Sequence, residues 1–129
     1  MRRIMCFLLV LISLSGIHAQ TVRRVENAKQ LVVAIRSDTT VLLKPGVYDL
    51  SEAYGTQGKE TRWDEVYDGS ELVLSGISNL TLQGEEGVEI VSPALYAFIL
   101  TLEDCENIVL TNLVLGHEPQ GECSGGVIR

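Results

Sequence analysis

Apolar residues recur with two different periods along this chain. Between Val25 and Ile35, the residues Val25, Ala28, Leu31, Val32 and Ile35 are spaced by threes and fours, with Glu26, Lys29 and Gln30 on the other side. That spacing predicts one amphipathic helix, ending at Ser37–Asp38, whose apolar stripe has to cover something. Beyond it the pattern changes to short runs: Val41–Leu43, Val47–Leu50, Leu72–Leu74, Leu80–Leu82, Val88–Val91, Phe98–Leu102, Ile108–Leu110, Leu113–Leu115 and Val127–Ile128. Each is too short for a helix, and Gly, Pro, Asn or acidic residues separate them, so they read as strands. No second helical pattern falls between the strands, which argues against an alternating α/β sheet.

The strands also repeat. Asn79–Leu80–Thr81–Leu82 and Asn107–Ile108–Val109–Leu110 share an Asn followed by an apolar–x–apolar strand. Nearly the same step leads from Leu72 to Ile99 and from Phe98 to Val127. The step from Val41 to Leu72 is slightly longer, the excess being absorbed by the polar stretch Ser51–Glu71. A repeat of roughly 20–50 residues signals a solenoid, propeller or array, and several strands per repeat without a helix favour a β-solenoid. The expected fold is therefore all-β: a right-handed parallel β-helix of about three coils, with the Val25–Ile35 helix plugging its first end. Stacked coils would place Leu72 over Val41, Ile99 over Leu72 and Ile108 over Leu80. Asn79 and Asn107 would take matching left-handed turns, either as plain turn residues or as a hydrogen-bonded ladder.

The first residues change what the rest must account for. Arg2 and Arg3, an apolar stretch from Ile4 to Ile12, and Ser13, Ser15, Gly16 and Ala19 form the pattern of a signal peptide cut after Ala19. The run is shorter than the roughly 20 apolar residues of a membrane span. The expected organisation is a signal peptide over 1–19 and a β-helix domain over 20–129, in a secreted, periplasmic or cell-surface setting with no membrane span after processing. The 129 residues carry 17 Asp+Glu against 10 Lys+Arg, a net charge of −7, which excludes general nucleic-acid binding. Of the three cysteines, Cys105 and Cys123 lie in the mature region. They read as a disulfide or as two separate small buried hydrophobes.

The segment Leu42–Leu43–Lys44–Pro45–Gly46–Val47–Tyr48, preceded by a helix and followed by Asn-led strands, resembles the first coil of exported right-handed parallel β-helix proteins of the pectate-lyase-like superfamily. Gly116–His117–Glu118–Pro119 and Cys123–Ser124–Gly125–Gly126–Val127 are similar to stretches of the same group. The resemblance implies the fold and a carbohydrate-binding or polysaccharide-processing setting. It implies no particular reaction, since the superfamily holds lyases, hydrolases, epimerases and non-catalytic adhesins. In its polysaccharide-active members the catalytic groups project from central coils. This chain resembles the N-terminal portion, so no catalytic residue is carried over, and the chain is expected to be incomplete at its C-terminal end.

Three places could carry chemistry. The stretch Ser51–Glu71 reads as a long loop holding Tyr54, Trp63 and Tyr67 among Glu60, Asp64, Glu65 and Asp68. Aromatic rings stack on sugar faces, and carboxylates bind hydroxyls or Ca²⁺. The alternative is a loop folded over the first coil with Trp63 covering apolar surface. His117 and Glu118 could do acid–base work or bind a ligand, or be ordinary turn residues before Pro119. Glu103, Asp104 and Glu106 could hold Ca²⁺ but lack an EF-hand spacing, and a solvated turn explains them as well. No zinc spacing, phosphate loop or nucleophile elbow is present. Polysaccharide is thus the expected partner, through Trp63, Asp64, Tyr67, His117 and Glu118, with no cofactor or metal required. The rival reading is a non-enzymatic structural or adhesion module at the cell surface.

Overall fold

The computed structural model describes residues 20–117, and those residues are mostly strand. In chain order they form β1 (Thr21–Val25), α1 (Ala28–Ala34), β2 (Thr39–Leu43), β3 (Gly46–Asp49), a 3-10 turn (Leu50–Ala53), β4 (Thr61–Val66), β5 (Gly69–Ser75), β6 (Ser78–Gly84), β7 (Val88–Ser92), β8 (Thr101–Glu103), β9 (Glu106–Thr111) and β10 (Val114–His117). The all-β class expected from the sequence is what the strands build. The expected signal peptide over 1–19, Glu118, Cys123 and the Val127–Ile128 strand lie outside the described residues.

Three sheets share the strands. Sheet I has the order β1-β2-β6-β9, sheet II β10-β7-β3 and sheet III β4-β5-β8. Every pairing in sheets I and II is parallel, and in sheet III only the β4–β5 hairpin is antiparallel. From β2 onward the chain visits the sheets in a fixed rotation: I, II, III, then I, II, III, then I, II. The step that separates Asn79 from Asn107, 28 in the numbering, also separates paired residues of β6 and β9 (Leu80↔Ile108) and of β5 and β8 (Val73↔Thr101). Between β7 and β10 (Ile90↔Leu115) the step is slightly shorter. Alternate residues of each strand point into a single core: Val41 and Leu43, Leu80 and Leu82, Leu72 and Leu74, Val88 and Ile90, together with Leu31, Val32 and Ile35.

One corner repeats with every pass. Asp38, Asn79 and Asn107, each placed just before or within the start of a sheet I strand, have φ values of 56°, 63° and 56°. This left-handed conformation is one that Asn and Asp tolerate better than other non-glycine residues. Of the two arrangements open to the Asn residues, their side chains form the hydrogen-bonded ladder, extended by one rung. Asn107 Nδ2 donates to Asn79 Oδ1 at 2.7 Å, and Asn79 Nδ2 donates to Asp38 Oδ1 at 3.0 Å. Backbone bonds join the same corners, Asp38 N–H to Ser78 O and Glu106 N–H to Ile77 O.

The expected stacking is right at one of its three pairs. Ile108 does lie beside Leu80. Val41, however, pairs with Leu82, and Leu72 belongs to sheet III, opposite Trp63. The reason is that Ser51–Glu71 is no open loop. A 3-10 turn and a hairpin fill most of it, so the first step along sheet I, from Asp38 to Asn79, is 41 in the numbering. The Phe98–Leu102 strand shrinks to Thr101–Glu103, and its register puts Leu100 rather than Ile99 in line with Leu72. The helix is also shorter than its apolar pattern. Asn27 caps it by accepting from Gln30 N–H, while Gln30 Oε1 accepts from Glu26 N–H. Val25 is therefore released into β1, where it pairs with Leu43. Buried Ala28, Leu31, Val32 and Ala34 of α1 cover the core at this end. The Tyr48 hydroxyl, buried and with its pKa raised by desolvation, lies 2.7 Å from the Lys44 carbonyl and 3.1 Å from that of Val25, tying the same corner shut.

The two ends of the core differ. In sheet I, Arg23 occupies the column of Val41, Leu82 and Leu110, so a charged residue stands at the β1 end of an aliphatic stack. At the other end, Leu102, Leu110 and Leu115 hold the columns of Leu74, Leu82 and Ile90. Those three are fully buried, yet Leu102, Leu110 and Leu115 remain 47%, 39% and 38% exposed among the described residues.

Two measurements test this architecture. Urea denaturation should show Leu82→Ala losing about 2–5 kcal/mol, because its cavity is enclosed, whereas Leu110→Ala should lose less than half as much. Replacing Asn79 by Val should cost about 1–2 kcal/mol from the left-handed backbone alone. Asn79→Gly should cost less, only the ladder bonds being removed; equal losses would mean the corner is not held in that conformation.

Candidate functional site

The aromatic residues divide into two sets. Tyr48 is buried in the core and Trp63 packs against it, while Tyr54, 37% exposed, leans on Trp63. The Trp63 ring is half-buried against the core, its Nε1–H donates to Thr56 O at 3.1 Å, and Tyr54 meets it edge-on with ring centres 5.2 Å apart. Tyr67, Tyr96 and Phe98, by contrast, are 87%, 68% and 72% exposed. Tyr67 sits with Asp68 in the tight turn that closes the β4–β5 hairpin, where Val66 pairs with Gly69. Its ring packs edge-on against Tyr96, with centres 5.2 Å apart and planes at 61°. Tyr96 and Phe98 belong to the connection between β7 and β8, which also exposes Leu95.

That connection is held from three directions. Asp68 accepts the backbone N–H of Leu95 at 2.7 Å and of Tyr96 at 3.2 Å, one on each carboxylate oxygen. Glu71 accepts Phe98 N–H at 3.3 Å and the Thr101 hydroxyl at 2.9 Å. On the far side, His117 Nε2 lies 2.9 Å from Ala97 O, a contact that requires the proton on Nε2. Carboxylate acceptors make the stronger class of hydrogen bond to backbone donors. The result is an exposed apolar and aromatic edge on a fixed backbone.

The structure thus brings two of the residues singled out in the sequence, Tyr67 and His117, onto one connection, and keeps Trp63 and Asp64 elsewhere. Asp64 lies on the outer face of sheet III and is engaged by Arg62, whose Nε and Nη2 donate to its two oxygens at 2.8 and 3.1 Å. The same guanidinium donates to both Glu103 oxygens at 2.8 and 3.2 Å, bridging β4 to β8. These hydrogen bonds hold the Asp64 and Glu103 carboxyls below their ordinary pKa and raise that of Arg62. Glu60 is likewise committed inward, accepting the backbone N–H and hydroxyl of Ser37. Among the described residues, no group of three or more His, Cys, Asp or Glu side chains is placed to hold a metal ion. Cys105 is half-buried, with its Sγ 3.3 Å from Leu74 O.

Sequence reasoning misses Tyr96 and Phe98 because Phe98–Leu102 reads as a strand. The repeat itself carries the signal: Tyr96 follows Asp68 at the same step by which Ile108 follows Leu80. Pro93 directly after β7 marks where that strand stops.

Two further depressions line the surface, one of about 430 Å³ between β1 and α1 involving Arg23, Arg24 and Lys29, the other of about 330 Å³ beside the Asp38–Asn79–Asn107 ladder. No helix among the described residues is long and apolar enough to cross a membrane. Compared with known proteins, the chain matches no family model, no curated protein and no solved structure.

The Arg62 bridge has a pH signature. Lowered carboxyl pKa values contribute stability above the ordinary carboxylate range of about 4, and that contribution disappears as pH falls through the lowered values. The stability gap between the native chain and Arg62→Met should therefore be widest near neutral pH and close on acidification. Chemical denaturation at a series of pH values measures it, and a gap that widens toward acid would contradict the bridge.

Proposed function

We propose that this chain is an exported right-handed parallel β-helix domain of a carbohydrate-binding or polysaccharide-processing protein. The exposed edge formed by Tyr67, Tyr96 and Phe98 is its saccharide contact. The fixed rotation of the chain through three sheets, with parallel strands returning at a common step, supports the β-helix. Export rests on the charged-then-apolar character of residues 1–19. Saccharide binding rests on a single observation. Tyr67, Tyr96 and Phe98 are the most exposed aromatic residues between positions 20 and 117, well above Tyr54, and lie along one connection whose backbone is held by Asp68, Glu71 and His117. Aromatic rings present an apolar face to the C–H side of a sugar, and a Tyr hydroxyl adds a donor and acceptor for its hydroxyl groups.

One observation favours a second reading, that of a structural or adhesion module. The apolar ends of three core columns, Leu102, Leu110 and Leu115, are exposed among the described residues, and unpaired strand edges lie beside them.

A glycan array separates the two. Saccharide binding should be present in the native chain and fall about tenfold or more in Tyr67→Ala and Tyr96→Ala, with unfolding midpoints unchanged because both side chains are exposed. Trp63→Ala should lower the unfolding midpoint through lost packing. No binding, combined with self-association that Leu110→Asp abolishes, would favour the structural module.

A further inference from the structure

The aromatic edge is built in a way that selects among saccharides. Both groups that fix its backbone are carboxylates: Asp68 commits its two oxygens to Leu95 and Tyr96, and Glu71 commits its two to Phe98 and Thr101. Their hydrogen bonds are to neutral donors, so two negative charges remain within the edge. Among the described residues, no cation is paired with them. Arg62, the basic residue of strand β4, gives both sides of its guanidinium to Asp64 and Glu103. The other basic cluster, Arg23, Arg24 and Lys29, lines the depression between β1 and α1. A ligand carboxylate or sulfate at the Tyr67–Tyr96 pair would therefore meet two carboxylates that no guanidinium or ammonium among the described residues pairs with.

We infer that the Tyr67–Tyr96–Phe98 edge binds neutral polysaccharide and discriminates against uronic-acid and sulfated polymers. This rests on the saccharide-binding reading above and adds the ligand's charge to it. Contact is through the C–H faces of neutral pyranose rings on Tyr67, Tyr96 and Phe98, with the phenol hydroxyls bonding sugar hydroxyls. Each carboxylate uses both oxygens as acceptors, which a neutral amide could not, so construction and selectivity are one arrangement.

Affinity electrophoresis of the full chain through gels containing a neutral glucan, a neutral mannan or polygalacturonate tests the inference, run at low salt and again with about 0.2 M NaCl. Only retention that Tyr67→Ala and Tyr96→Ala both abolish is scored, so binding of polyanions by the Arg23–Lys29 depression does not count. The expected result is retention by a neutral polymer, at least about tenfold stronger than by polygalacturonate at low salt. Added salt should leave the neutral retention unchanged and strengthen any retention by polygalacturonate, as screened repulsion requires. Equal or stronger tyrosine-dependent retention by polygalacturonate overturns the charge selection and leaves saccharide binding standing. Absence of tyrosine-dependent retention by any of the three overturns both.

Discussion

Everything in this molecule depends on a corner that returns to the same place. Asp38, Asn79 and Asn107 turn the backbone through a conformation most residues avoid, and their side chains hydrogen-bond to one another across successive strands. The ladder bonds are partly exposed, so each contributes modestly. Their larger effect is on register. A shift by one residue in β6 would bring Asn79 out of line with Asp38 and would also turn Leu80 and Leu82 from the core to the outside. Polar corner and apolar columns reject the same error, and that agreement lets strands far apart in sequence pair in one way only.

The hairpin β4–β5 shows how an insertion is accommodated without disturbing that register. It adds one antiparallel strand to sheet III and lengthens the first step along sheet I. The insertion is bound by pieces that look functional in isolation. Trp63 anchors it to the core, Glu60 ties it to Ser37, and Arg62 straps it to Glu103 on β8. Its tip, Tyr67–Asp68, engages the connection before β8, through the Tyr96 ring and the backbone of Leu95 and Tyr96.

Much of the fold can be read from the sequence because its strands follow simple rules. Leu80 and Ile108 are matched correctly, since both follow an Asn at the same distance and point inward. The mismatch of Val41 with Leu72 arises because strand β4, Thr-Arg-Trp-Asp-Glu-Val, has too few apolar residues to announce itself; cross-strand pairing with β5 and the packing of Trp63 on the core hold it in place. Strand β1 is hidden for the same reason, with Arg23 and Arg24 at its centre. The site is less legible than the fold. Trp63 and Tyr67 are close in sequence and look equivalent there, yet one faces the core and the other lies in a turn. Which residues of a distant connection meet that turn depends on the three-dimensional repeat, since Asp68 and Tyr96 are joined only through it.

The contrast between the two ends gives the molecule a direction. At the β1 end, α1 and Arg23 make a surface that a further apolar strand would have to enter by burying a guanidinium, which is costly. At the β8–β9–β10 end, Leu102, Leu110 and Leu115 present three aliphatic seats beside strand edges that are unpaired among the described residues. Such a face acts as a mould: a strand laid there would have its inward positions dictated by seats already in place, with the loop-closure entropy of the earlier passes already lost. The described residues thus offer an apolar template at one end and a charged, helix-covered stop at the other.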